Sequence, residues 1–496
     1  MKNIAVINCI DCNEYSELPV IDGKSSIDRV LEVARGLPSV EKVIILSNPD
    51  FLRGENGTVL RKESWDIETL FSVLERESRN FDHLFYLFGD TPLLDRALCE
   101  KMFQNHIRYF AGYTFADGYP YGLTPEIIST GILSALLHLA EGNGGKIARD
   151  TVFTVLQKDL NSFDIETEIS PVDLRLLRIE LCCDTKRNHR LTARVIDEGA
   201  TDAKGVLNTV REKPEILRTL PAFFNIQIID GCPQSCFYCP FPSFGGNVLK
   251  NRTTMSIEDF TLICKKIHQF VDDAVISVSL WGEPALHSEI DQIAALVGQY
   301  SRFSLVIETS GVGWKRESID AIKKQGPEKI SWIVSLDADD PRLYQQLRGD
   351  GMEEAVQTTE QLTELFPGRV YPQAMRMNIN EDNLETFYRK WKERTDTIII
   401  QKYDSFAGEL PERKVTDLSP LNRFPCWHLK RDMAVLLDGT VPLCREDIKR
   451  EYVLGNIFND DIEQLWEQGE RYYHRHIEEN YNKLCEQCDE YYTFNF

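Results

Sequence analysis

Apolar residues recur along the chain in two rhythms. Over about residues 1–205, short runs such as Ile4–Ile7, Val43–Leu46 and Leu84–Leu87 are apolar at every position. Runs of that kind are typical of strands buried on both faces of a parallel sheet. Helical patterns at Ser26–Ala34 and Glu126–Leu139 lie between or after them. Together they predict a doubly wound α/β domain. Gly199, Gly205, Lys213 and Pro214 then interrupt the pattern, which predicts a connector over 206–218. From Ala222 a second rhythm begins, with β-branched apolar runs at Phe223–Ile229, Val275–Leu280, Phe303–Ile307, Ile330–Leu336, Val370–Met377 and Thr397–Gln401. Helical patterns separate most of these runs, which predicts a partial (βα)6 barrel over 219–410 with its site at the C-terminal strand ends. A smaller domain over 411–496 opens on an expected hairpin, Met433–Leu437 with Val441–Leu443, joined by the turn pair Asp438-Gly439.

The chemistry concentrates where the second rhythm starts. Cys232-Pro-Gln-Ser-Cys236-Phe-Tyr-Cys239 follows the first barrel strand, and Asp230, Gly231 and Pro233 place it on a loop. Thiolates are the usual ligands of [4Fe–4S] clusters, and three of them leave one of four irons open for a small molecule. Zinc is the alternative, although structural zinc takes four ligands and its spacings are usually built from C-x2-C pairs. C-x3-C-x2-C with an aromatic residue, Tyr238, before the last cysteine resembles the signature of the radical S-adenosylmethionine (SAM) enzymes. That resemblance implies reductive cleavage of SAM at the cluster, giving a 5′-deoxyadenosyl radical that takes hydrogen from a substrate.

Later strand ends carry further signals. Trp281-Gly282-Glu283-Pro284 is similar to the family's G-G-E-P motif, with Trp281 in place of the first Gly. The resemblance implies that Gly282 and Glu283 bind the SAM amino group. Glu308-Thr309-Ser310-Gly311 is similar to E-T-N-G, with Ser310 in place of Asn, and Ser335-Leu336-Asp337-Ala338 is similar to S-L-D-G. Ser335 would then meet the ribose and Arg348 the SAM carboxylate, a role that suits a bidentate guanidinium. Asp337 is the candidate catalytic residue, orienting SAM or substrate, or else only caps its loop. Arg376 and Asn378, near the fifth strand end, are candidate substrate contacts.

Four more cysteines, Cys426, Cys444, Cys485 and Cys488, fall in the C-terminal segment. The segment resembles the SPASM/twitch extensions of radical SAM enzymes, which implies one auxiliary [4Fe–4S] cluster. Zinc on the same four thiolates is the alternative. In the sulfatase-maturing branch an Asp follows the second cysteine and acts as base; here Arg445 stands there, so that activity is not expected. Cys264 lies instead on the apolar face of a helix whose Ser256 and Asp259 form an N-terminal cap, and reads as an inert core thiol.

The N-terminal rhythm is similar to the nucleotidyltransferase fold that makes activated sugars. The resemblance rests on Leu18-Pro19, the run Gly23 to Val30, Gly89-Asp90-Thr91-Pro92-Leu93-Leu94, and a later strand at Leu177–Asp184. It implies that Lys24 contacts phosphate and Asp90 holds Mg²⁺; the simpler reading of Asp90 is a helix cap. The family's phosphate-cradling loop would fall at Asn8–Glu17, which has no glycine and no basic residue. Binding or scaffolding is therefore expected there rather than transfer. No metal is expected at the Cys9/Cys12 pair. The order of the three parts resembles the spiro-SPASM proteins.

A formal net charge of −22 over 496 residues argues against nucleic acid and against an anionic membrane surface. Thirteen cysteines without an export signal point to a reducing compartment, the cytoplasm. A peptide or protein substrate is implied by resemblance to SPASM enzymes, and an electron donor such as flavodoxin or ferredoxin completes the expected partners. Two other function classes stay open. One is a nucleotidyltransferase acting on a sugar or lipid precursor, with a structural metal module. The other is a non-catalytic iron–sulfur scaffold.

Overall fold

The computed structural model describes residues 1–49, 58–241 and 253–494. The chain divides into two units, Met1–Leu217 and Arg218–Phe496. Among the described residues no helix is long and apolar enough to cross a membrane.

The first unit is built on one seven-stranded sheet. Its strands follow the order Thr58–Arg61, Val40–Ser47, Asn3–Asn8, His83–Phe88, Glu126–Ser129, Tyr113–Asp117 and Ile165–Ile169. The first four are mutually parallel. Alternate residues of the expected runs feed two cores, because successive side chains leave a strand on opposite faces. Ile4, Val6, Ile44 and Leu46 pack with helices Ile67–Ser78 and Leu133–Ala140. Ala5, Ile7, Ile45 and Leu87 pack with helices Ser26–Arg35, Arg96–Arg108 and Lys186–Asp197. This is the doubly wound layer expected.

Four details of the first unit differ from expectation. The helix foreseen over Glu126–Leu139 begins only at Leu133. Glu126–Ser129 is instead a strand, antiparallel to both His83–Phe88 and Tyr113–Asp117. Ile127 and Ile128 are both fully buried, one in each core, which a strand between two neighbours allows. Leu177–Asp184 is not a strand: a single bridge, Tyr121 to Glu180, is all the pairing described there. Lys24 pairs with Glu32 at 2.9 Å on the surface. The stretch foreseen as a connector is largely the helix Ala203–Glu212, whose Ala203, Val206, Leu207 and Val210 are buried.

The second unit holds a seven-stranded, all-parallel sheet. Its order is Ile399–Lys402, Val370–Arg376, Ile330–Ser335, Phe303–Thr309, Ala274–Ser277, Phe223–Ile226 and Asp432–Val435. The six expected strands lie side by side in chain order, as successive βα units require. Asp432–Val435 was expected to form a hairpin with Val441–Leu443, yet it runs parallel to Phe223–Ile226. Thr440–Pro442 pairs with Val453–Asn456 instead. Asp438-Gly439 still makes the turn, with Gly439 at φ +80°, but the turn joins two sheets. All four residues of Asp432–Val435 are buried, so the strand serves as the barrel's outermost layer. The helix Ile257–Phe270 is capped as expected by Ser256, and Cys264 sits in the core.

Trp332, fully buried on a central barrel strand, packs against Trp314 at 4.9 Å and Phe366 at 5.4 Å between ring centroids. Its indole N–H has no hydrogen-bond partner. Trp332→Ala is expected to destabilise the second unit by about 3–5 kcal/mol, and Trp332→Phe by less than about 1.5 kcal/mol, since no hydrogen bond is lost. Chemical denaturation followed by near-ultraviolet circular dichroism reads both. Equal losses would show that ring packing is not what holds the strand.

Candidate functional site

The C-terminal strand ends of the second unit surround a cavity of about 210 Å³. Cys232, Cys236, Tyr238, Cys239, Gly282, Glu283, Ser310, Ser335, Asp337 and Arg348 all line it. Ten candidates, from four strand ends and from the end of the helix Pro341–Arg348, are thus brought to one place. Arg376 and Asn378 do not join them: Arg376 is engaged by Glu381 at 2.7 and 2.8 Å.

Two buried carboxylates fix the loops. Glu283, 2% exposed, accepts from the hydroxyl of Thr309 at 2.5 Å, and from the backbone N–H and hydroxyl of Ser310, both at 2.7 Å. It therefore ties the second strand's loop to the third. Burial raises its pKa, and these donors counter the rise. Gly282 stands at φ +85°, and a Cβ there would lie 2.3 Å from the carbonyl oxygen of Ile229. The second glycine of the motif is thus needed, whereas Trp281 in place of the first is accommodated by stacking against Phe241.

Asp337 is the second such carboxylate, 1% exposed and itself at φ +66°. Its Oδ2 accepts from Arg348 at 2.5 Å and from the Tyr238 hydroxyl, and its Oδ1 accepts from the Met375 N–H at 2.8 Å. Arg348 also donates to the Tyr238 oxygen at 2.5 Å. Asp337 does more than cap its own loop: it joins the cysteine loop, the fourth strand and the fifth. Asn380, which sequence patterns did not single out, reinforces that joint by donating to the carbonyls of Asp337 at 2.9 Å and Met375 at 2.8 Å.

The cavity has further charged walls at Glu308, Asp404 and Arg445. Burial raises Glu308, with Arg445 opposing. Burial also raises Asp404, and Glu446 and Glu490 add to the rise. Arg445 reaches Asp404 at 3.2 Å and Glu446 at 2.9 Å. None of the three was a candidate on sequence, although Glu308 stood inside a motif and Asp404 lies two residues beyond a strand end. That position is a usable signal in a barrel.

The residues fit a metal cluster. Burial pushes the Cys232 and Cys239 thiols up to about 12, with the Glu283 carboxylate and then the neighbouring sulfurs adding to it at Cys232, and the Cys236 sulfur at Cys239. Crowded buried thiols hold their protons unless a cation compensates, and metal binding releases those protons. Arg348 also lines the cavity and keeps its Nε buried without a hydrogen-bond partner, a donor suited to an anionic group. In the C-terminal segment Cys426 and Cys485 are buried, Cys444 and Cys488 half-buried, and all four are free. Burial raises each thiol; the Cys485 sulfur adds to it at Cys426, the Glu446 carboxylate and then the other sulfurs at Cys444 and Cys488, and the Asp447 carboxylate at Cys485.

Residues 226–390 match the radical SAM superfamily, 426–489 an iron–sulfur cluster-binding (SPASM) domain, and 16–155 a MobA-like NTP transferase domain. The chain belongs to the radical SAM superfamily, with a SPASM domain after the core and a nucleotidyltransferase-like domain before it. It shares a family with an uncharacterized protein of Treponema pallidum (strain Nichols), 39% identical over 358 residues, 70% of this chain and 98% of that one. Solved structures resemble it more distantly. BtrN in complex with AdoMet and 2-DOIA is 17% identical, covering 55% of this chain and 94% of that one, with a TM-score of 0.39. Streptococcus suis SuiB bound to precursor peptide SuiA is 15% identical, covering 68% and 78%, with a TM-score of 0.44. A cytidylyltransferase from Leptospira borgpetersenii is 15% identical, covering 43% and 95%, with a TM-score of 0.36.

The Asp337–Arg348 pair can be tested directly. Removing one partner of a buried pair leaves an uncompensated charge, at about 3–5 kcal/mol. Asp337→Ala and Arg348→Ala are each expected to lose stability on that scale, and the double variant to lose clearly less than their sum. Additive losses in a denaturation cycle would mean that the two side chains do not depend on each other.

Proposed function

We propose that Cys232, Cys236 and Cys239 hold a [4Fe–4S] cluster, that SAM binds beside it, and that the cavity acts on a peptide or protein side chain. The convergence of three thiols and the SAM-binding candidates on one cavity carries this reading. When bound, cluster and SAM supply a 5′-deoxyadenosyl radical by one-electron reductive cleavage. The chain's own residues bind and orient. Gly282 and Glu283 shape the site for the amino group, with Ser310 and Thr309 holding Glu283 in place. Ser335, on the same cavity wall, would meet the ribose. Arg348 offers its charge to a carboxylate, and Asp337 with Tyr238 positions Arg348 in place of acting on substrate. Glu308 and Asp404, whose carboxyls burial shifts upward while Arg445 opposes, add charged walls to the same cavity.

Room beside the first cavity supports the peptide reading. Beyond Phe241, Trp281 and Arg445 a second hollow of about 330 Å³ continues from the first, with Lys449 and Arg450 on its wall. An electron must come from outside, and flavodoxin or ferredoxin is the proposed donor. We assign 219–410 to the radical SAM core and 411–496 to a SPASM/twitch-like domain holding an auxiliary [4Fe–4S] cluster on Cys426, Cys444, Cys485 and Cys488. Zinc on the same four thiolates is the alternative. Thirteen free thiols suit a reducing compartment, the cytoplasm.

Anaerobic reconstitution is expected to give about eight irons per chain. Four irons with one zinc would leave the core standing and remove the auxiliary cluster. Cys236→Ala is expected to abolish 5′-deoxyadenosine formation with dithionite, and Cys485→Ala to keep it while product formation falls. SAM cleavage at the wild-type rate in Cys236→Ala would overturn the reading.

The competing nucleotidyltransferase reading has little support in the site chemistry. Asn8–Glu17 supplies no cradle for a triphosphate, and Lys24 is held by Glu32. No pyrophosphate release from any nucleoside triphosphate with Mg²⁺ is expected. Release that disappears in Asp90→Ala would restore the transferase.

A further inference from the structure

In the first unit, Asp90, Cys182 and Asp184 present ligand atoms within 4.8 Å of one another. Two carboxylates and a thiol form a donor set that a divalent cation could use, but the same space is already served by a side chain. Arg149 donates to both oxygens of Asp90 at 2.7 and 3.2 Å, and to Asp184 at 3.0 Å. It also donates to the Tyr121 hydroxyl at 3.0 Å.

The surroundings are shaped for a planar guanidinium. Its carbon lies 4.6 Å from the ring centre of Tyr121 and 5.4 Å from that of Phe88. Aromatic faces stabilise a delocalised cation and offer nothing to a metal. The fork of Arg149 meets Asp90 two-to-two, a geometry that an ion on the same carboxylate would have to break. The remaining oxygen of Asp184 is also engaged, by the Cys182 thiol at 3.2 Å and the Asn188 amide at 2.9 Å. Asp90 is therefore not a helix cap: the following helix is capped by Asp95, whose Oδ1 accepts from the Leu98 N–H at 3.1 Å.

We infer that Arg149 is a built-in replacement for the divalent cation of this unit, so that whatever the unit binds, it binds without a metal. The residues implied by resemblance to hold Mg²⁺ do not fit that ion while Arg149 is present. Two carboxylates balanced by one guanidinium leave a single negative charge. A divalent ion would have to enter beside a fixed positive charge in a half-buried site, where screening is weak.

The test is Mn²⁺ binding to the full reconstituted chain, read by electron paramagnetic resonance of free Mn²⁺ at about physiological ionic strength. Because the chain is acidic everywhere, each count is set against Asp90→Asn. Wild type and Asp90→Asn are expected to bind Mn²⁺ equally. Arg149→Ala is expected to gain one site at least tenfold tighter than that background. Adding Asp90→Asn to it should abolish the gain, and millimolar methylguanidinium should compete the ion away. Arg149→Met, which keeps the volume, serves if the Ala variant does not fold. A wild-type site lost in Asp90→Asn would overturn the inference. So would an Arg149→Ala or Arg149→Met protein that is folded and gains no site.

Discussion

Two buried carboxylates hold the centre of the second unit together. A parallel barrel presents its strand ends as separate loops, which backbone bonds such as Glu283 N–H to the Gly231 carbonyl at 2.7 Å join only in part. The Glu283 side chain joins them further by accepting three bonds from Thr309 and Ser310, and Asp337 by accepting from Arg348, Tyr238 and Met375. A buried carboxylate without partners is costly, so each loop must arrive where its donors satisfy the charge. The same bonds that stabilise the strand ends set the spacing of the cavity wall. The cysteine loop is drawn in through Tyr238, two residues from Cys236, so the thiols are placed by a bond made on the far side of the barrel mouth.

The C-terminal segment is joined to this arrangement by charge and by backbone. Arg445 follows Cys444 directly and lines the cavity while pairing with Asp404 and Glu446. Asp489 and Glu490 follow Cys488, and both pair with Lys402 at the end of the last barrel strand. Asp432–Val435 lies in the barrel sheet itself. The C-terminal segment therefore contributes to the cavity wall as well as carrying its own cysteines.

The first unit shows how a fold can keep its acidic residues while their chemistry changes. Asp90 and Asp184 remain, with Cys182 between them, but a guanidinium enclosed by Tyr121 and Phe88 answers their charge. Arg149 lies four residues beyond the glycine-rich stretch Gly142 to Gly145, far in sequence from either aspartate. The loop Asn8–Glu17 lacks a basic residue, and this distant segment brings one to the acids.

Local pattern determined a large share of this protein. Apolar runs located three of the four parallel strands of the first unit and six of the second, because a strand buried on both faces has little choice of residue; Thr58–Arg61, at the sheet edge and half exposed, had no such run. The spacing of Cys232, Cys236 and Cys239 and the motifs at three later strand ends named the cavity wall, since each motif is a few consecutive residues at one turn. What needed the tertiary structure was every feature made by residues distant in the chain. Glu126–Ser129 is a strand because neighbours on both sides offer hydrogen bonds, although its own pattern continues smoothly into a helix. Asp432–Val435 leaves the expected hairpin because the barrel edge buries it more fully. The partners of Asp337, the place of Asp404 and Arg445 in the cavity, and Arg149 between two aspartates could not be read in advance. Charge pairing acts through space, and sequence distance carries no record of it.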